Sequence, residues 1–170
     1  MALRPIKNCF DPVLRKQCEI VKNIDGELIT LSKDMIETTL AAPGIGLAAN
    51  QIGVPWRVFV VNMGVETDTD NLITLINPEI TAMEGSESGE EGCLSIPDVV
   101  VEVNRAIQIE IKAIDLNGKD IRYEASGVLA RALQHEMDHL NGILFWDSLG
   151  KIKRDILKRK FKKKLKEQEE

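Results

Sequence analysis

His135 and His139 are the two histidines of the chain, and Glu136 stands beside the first of them. Residues four apart on a helix share one face, one turn apart, so both imidazoles can reach a single ion. A metal held this way lowers the pKa of a water to about 7, and a neighbouring carboxylate then takes or shuttles its proton. Glu136 fills that place in His135-Glu136-Met137-Asp138-His139, the pattern HExxH. The chemistry read from these residues is metal-assisted hydrolysis. The rival is chance, because so short a motif has false positives. That both histidines fall in this one pattern weighs against chance.

A catalytic metal needs a third protein ligand and one open position. No histidine follows the motif; beyond it lie Asp147 and Asp155, with Glu167, Glu169 and Glu170 in a charged tail. Upstream, Cys93 sits in Glu91-Gly92-Cys93-Leu94-Ser95, between an acidic stretch and a strand candidate. A thiolate is a strong ligand for zinc or ferrous iron. The alternative for Cys93 is a small buried hydrophobe, which its polar, glycine-containing surroundings disfavour. Cys9 and Cys18 complete an odd count, which argues against a disulfide framework, and read as reduced structural thiols. Two other functions stay open on these residues. One is a small HExxH peptidase. The other is a closed structural zinc site recruiting Cys9 or Cys18.

These side chains need elements to position them. Ser126 is placed to cap a helix over residues 127–140 that carries the motif, and Asn141-Gly142 ends it. Earlier, Asp11-Pro12 leads into a short helix over residues 13–19. Leu28, Leu31, Met35, Ile36 and Leu40 recur at helical spacing over residues 27–40, which Pro43 and Gly44 stop. Strands are expected over 57–61, 72–76, 79–83, 99–103, 107–114 and 121–124, with Pro78 at an edge or bend and Asn117-Gly118 as a hairpin turn. Residues 64–71 read as a polar loop, and the acidic, glycine-bearing residues 84–92 as another. The order predicts an α+β fold, antiparallel strands packed around a central helix carrying HExxH, with a C-terminal helix.

At 170 residues one folded core is the default. No run of 18 apolar residues is present, which argues against a spanning helix. Residues 1–10 lack the apolar centre of a signal peptide, so a cytoplasmic location is expected. The net charge of -5 is unevenly spread. The last 20 residues carry 10 basic and 4 acidic side chains, a local +6, against 12 and 23 in the rest, a local -11. A basic helical tail over 151–170 beside a body over 1–150 suggests an anionic partner for the tail.

Three motifs in order resemble those of the bacterial peptide deformylase family: Gly44-Ile45-Gly46-Leu47-Ala48-Ala49-Asn50-Gln51, then Glu91-Gly92-Cys93-Leu94-Ser95, then Gln134-His135-Glu136-Met137-Asp138-His139. The resemblance covers about residues 1–150, the deformylase catalytic domain it implies. It implies removal of the formyl group from the initiator methionine of nascent polypeptides, with release of formate. It implies one divalent ion on Cys93, His135 and His139, Fe²⁺ as the native metal, with Zn²⁺, Ni²⁺ or Co²⁺ as substitutes. Glu136 is then the general base, and the oxyanion is met by the Gln51 side-chain amide and the Leu94 backbone N–H. A backbone group of Gly46 would hold the formyl-methionine amide, and Ile45, Val128, Leu129 and Ala132 are candidates for the methionine pocket. Glu91 and Arg105 would form a supporting ion pair behind the Cys93 turn. The resemblance also suggests the ribosome as partner of the basic helix. The alternative for that helix is simple docking through Leu157, Phe161 and Leu165. A monomer is expected.

Overall fold

Asp25 starts the first long helix. Its carboxylate accepts from the Leu28 N–H at 3.0 Å, satisfying one of the donors that a helix N-terminus leaves over. Helix α1 (Gly26–Ala41) buries Leu28, Leu31 and Met35 on one face. Strand β1 (Gly46–Ala48), a 3-10 turn (Ala49–Ile52) and β2 (Val58–Asn62) follow. Next come β3 (Leu72–Glu84), β4 (Glu87–Cys93), β5 (Ile96–Arg105), β6 (Gln108–Ile114) and β7 (Asp120–Ser126). Helix α2 (Gly127–Leu140) carries the two histidines, and α3 (Lys151–Glu169) is the last element. The computed structural model describes residues 2–65 and 70–169. Of the loop expected over 64–71, residues 66–69 lie outside the described residues, as do residues 1 and 170.

The strands form two antiparallel sheets, one of five strands in the order β1-β2-β3-β6-β7 and one of β4 with β5. This is the α+β class expected. Strand β2 reads Val-Phe-Val-Val and is buried throughout because both faces of the large sheet are covered. Successive side chains of a strand point to opposite faces. Val58 and Val60 therefore meet Leu28, Leu31 and Met35 of α1, while Phe59 and Val61 meet Ala130, Leu133, Met137 and Leu140 of α2. The histidine helix is thus laid on an apolar sheet face.

A third cluster joins the small sheet to the tail. Ile96, Val101 and Val103 pack with Cys9, Phe145, Trp146 and Phe161. Phe161 of α3 is buried, and its ring meets Trp146 edge-on at 6.4 Å. Leu157 and Leu165 pack on the same cluster. The apolar stripe of the tail is therefore docked on the body.

Four local expectations change. Residues 84–92 are not a loop: β3 runs to Glu84 and β4 occupies Glu87–Cys93. Acidic residues and glycines have low strand propensity, but pairing with β5 and long-range partners described below override it. The two strands expected over 72–76 and 79–83 are one strand, β3. The break at Pro78 is absorbed as a register shift between Ile76 and Glu79, with Asn77 at φ 49°. The helix expected over 13–19 is only a 3-10 turn, Pro12–Arg15, capped by the Asp11 carboxylate on the Val13 N–H. Ser126 sits at the N-cap of α2 but its hydroxyl makes no capping bond.

Candidate metal centre

The helical spacing places the imidazoles of His135 and His139 together, with Nε2 of each 3.2 Å from the other. The turn between β4 and β5 brings the Cys93 sulfur to 3.4 Å from His139 Nε2. All three ligand atoms lie within 4.8 Å of one another. A tetrahedral ion with metal–nitrogen bonds near 2.0–2.1 Å and a metal–sulfur bond near 2.3 Å would need N···N and N···S edges of roughly 3.3 and 3.6 Å. The His135–His139 and Cys93–His139 separations therefore suit one ion held between them. Cys9 and Cys18 are buried elsewhere in the core and are not part of the group.

Glu91 orients the site from behind. Its Oε1 accepts from His135 Nδ1 at 2.9 Å, which leaves Nε2 of that ring turned to the centre. Arg105 grips the same carboxylate from Nε and Nη2 at 2.8 and 2.9 Å, and a third bond reaches Asp138 at 2.5 Å. Burial would raise the Glu91 carboxyl, but the Arg105 and His135 bonds outweigh it and hold the group at about 2. Burial pulls His135 down, yet bonds to Cys93 and Glu91, with the Glu136 charge nearby, push it up to about 10. The spot thus favours positive charge, which a bound cation supplies in place of the proton. His139 goes the other way: burial, then repulsion from His135, holds it well below its ordinary value, so it stays a neutral donor.

Glu136 is 4 % exposed, and burial pushes its carboxyl up to about 7. Its Oε2 has no hydrogen-bond partner among the described residues. Gly46 of β1 lies flush against it. A Cβ built on Gly46 would sit 3.1 Å from Glu136 Cγ and Oε1 and 3.0 Å from the Val60 carbonyl, so only glycine leaves the carboxylate its room. Gln51 is fixed by both ends of its amide. Its Oε1 accepts from the Ala48 N–H at 2.9 Å, and its Nε2 donates to Ser95 Oγ at 3.1 Å, with the Cys93 sulfur 3.9 Å away.

A cleft of about 610 Å³ opens beside these groups. Ile45, Gly46, Gln51, Cys93, Leu94, Val128, Ala132, His135 and Glu136 all border it. Leu129 does not; it packs against the apolar core between α2 and the large sheet, because the helix turns that position away from the cleft. Sequence reasoning missed Arg131, and it gave Gln134 and Ser95 no role of their own within their motifs. Arg131 bonds Glu91 Oε2 at 2.9 Å, and Gln134 clamps both backbone groups of Ala106 at 2.9 Å. Their partners are distant in the sequence, so spacing carried no signal. For Arg131 the one available clue was its place a single turn before His135 on the same helix face.

The family model described as "Polypeptide deformylase" matches residues 3–155. The peptide deformylase of Thermodesulfovibrio yellowstonii is 48 % identical over 164 residues, 96 % of this chain and 99 % of that protein. That of Agrobacterium fabrum is 45 % identical over 164 residues, 96 % of each chain. Among solved structures, a peptide deformylase from Legionella pneumophila superposes with TM-score 0.92 at 42 % identity, covering 98 % of both chains.

Proposed function

The chain belongs to the polypeptide deformylase family and removes the N-terminal formyl group from nascent polypeptides, and on that premise we propose how its own residues do so. Cys93, His135 and His139 hold one divalent ion, and residues 1–150 form the catalytic unit. When bound, such an ion acidifies a water and polarises the formyl oxygen. Glu136 accepts the proton of the attacking water as the new C–O bond forms at the formyl carbon. It then passes that proton to the methionine nitrogen as the C–N bond breaks, giving formate and a free amine. Burial raises this carboxyl above its ordinary value, which lets it take and return a proton more evenly than a solvated glutamate. The Gln51 amide and the Leu94 N–H donate to the oxygen on which negative charge develops. Gln51 does this without reorganising, because Ala48 and Ser95 already fix its amide. Gly46 lends a backbone group to the formyl-methionine amide. Ile45, Val128 and Ala132 receive the methionine side chain.

The observation that carries this reading is the convergence of one sulfur and two imidazole nitrogens beside a buried carboxylate oxygen without a partner. Formate release from formyl-Met-Ala-Ser, measured with the metal content of the same preparation, tests it. Turnover should scale with bound ion; full turnover after the ion is stripped would overturn it.

Fe²⁺ is the native ion proposed, with Zn²⁺, Ni²⁺ or Co²⁺ able to replace it, since one thiolate and two imidazoles suit all four. A ferrous centre predicts activity that fades in air and persists without oxygen. Activity stable in air points to zinc or nickel. The lysine-rich tail, residues 151–170, is proposed as a contact to ribosomal RNA for a cytoplasmic monomer acting on chains as they emerge. Support comes from its local charge. Its ribosome affinity should fall steeply with salt, and a flat salt response would overturn the contact. No helix among the described residues is long and apolar enough to cross a membrane.

A further inference from the structure

Arg131 and Gly89 form a contact that none of the roles above uses. Arg131 lies one turn before His135 on α2, and both hold the same carboxylate: Arg131 Nη1 bonds Glu91 Oε2 at 2.9 Å, while His135 Nδ1 bonds Oε1 at 2.9 Å. The guanidinium also donates to the Val103 carbonyl of β5 at 2.8 Å and to the Glu87 carbonyl of β4 at 2.9 Å. It thereby ties the motif helix to both strands of the small sheet. A Cβ built on Gly89 would lie 3.0 Å from Arg131 Cζ and Nη2 and 3.2 Å from Nε, so the guanidinium rests on bare backbone and would have to shift by a few tenths of an ångström for any side chain there. Lysine, a point charge on a flexible stem, cannot reproduce three fixed bonds.

We propose that Arg131, seated on Gly89, is a positioning residue for the metal: it fixes Glu91 from the helix side, as Arg105 does from the strand side, and so holds His135 in its ligating orientation. This rests on Cys93, His135 and His139 being the ligands. A fastener of strands alone would change stability; a positioning residue also changes how long the ion stays.

The measurement is the half-time of ion loss from the zinc-loaded full chain to excess chelator, alongside Tm. Variants are Arg131→Met, Arg131→Lys, Gly89→Ala and Phe161→Ala. The last thins the apolar cluster under the same sheet from α3, away from Glu91. Arg131→Met is expected to release zinc about ten- to a hundredfold faster, the range for partners that orient a ligand. Gly89→Ala should do the same in direction, although every side chain of the contact is retained. Arg131→Lys should fall between wild type and Arg131→Met. Phe161→Ala should lower Tm and leave the half-time as in wild type. A wild-type half-time in Gly89→Ala and whichever Arg131 variant folds would overturn the proposal, as would equal acceleration in Phe161→Ala at the same loss of Tm. If wild type itself binds no zinc, it is the ligand assignment that fails.

Discussion

The two sheets hold the histidine helix by opposite means. The five-stranded sheet meets α2 through Phe59, Val61, Leu75, Ile109 and Ile111 against Ala130, Leu133, Met137 and Leu140. The small sheet and its exit meet the same helix through Glu91, Arg105, Arg131, Asp138 and Gln134, almost wholly by charge and hydrogen bond. Apolar packing is insensitive to direction and supplies stability. Charged hydrogen bonds add little net stability once desolvation is counted, but they fix angles. The helix is therefore held in place on one side and aimed on the other; His135 and His139 face Cys93 on the aimed side, while Glu136 lies against Gly46 at the edge of the large sheet.

The most severe break in that division is Glu136→Gln. Turnover in the formate assay should drop about 10²- to 10⁴-fold, with metal content and Tm near wild type. Loss of the ion in this variant would contradict a base that is not a ligand. Next comes Glu91→Ala, which leaves Arg105 and Arg131 without the carboxylate they share. Urea unfolding of the metal-free protein should show about 3–5 kcal/mol lost. The sign with pH follows from the depressed carboxyl at about 2: its contribution is complete above its ordinary value and disappears as pH falls toward 2. Wild type and variant should therefore converge in acid, and a gap that stays constant from pH 6 to pH 2 would place the effect elsewhere.

On the other side of the helix, Leu133→Ala empties a fully buried site and should cost about 2–5 kcal/mol by the same unfolding measurement. Its rate per bound ion should be unchanged; a matching loss of rate would erase the distinction between the two sides. The smallest effect sharpens it. Lys164 and Asp98 make an ion pair at 2.6 Å, but their side chains are 43 % and 66 % exposed. Lys164→Ala should change stability by under about 1 kcal/mol, because water and salt screen such a pair.

The apolar side was legible in the sequence. Alternation in β6 and helical spacing in α1 follow from periodicity alone, and each was found close to its true bounds. His135, Glu136 and His139 were legible because one turn of helix brings them together. The charged side was not. Residues 84–92 look like a loop because glutamate and glycine suit strands poorly. What makes them a strand is Arg105 and Arg131 reaching Glu91 from 14 and 40 residues away. Leu129 and Ala132, both apolar residues of the motif helix, differ in which way they face, and only the packed helix separates cleft wall from core.

Cys9 and Cys18 are each 5 % exposed, and burial lifts their thiols to about 12 and 11. In the native chain an alkylating reagent such as iodoacetamide therefore meets a single reactive sulfur, that of Cys93. Label uptake becomes a titration: one equivalent per stripped molecule, none per loaded one, and a count of three only after denaturation.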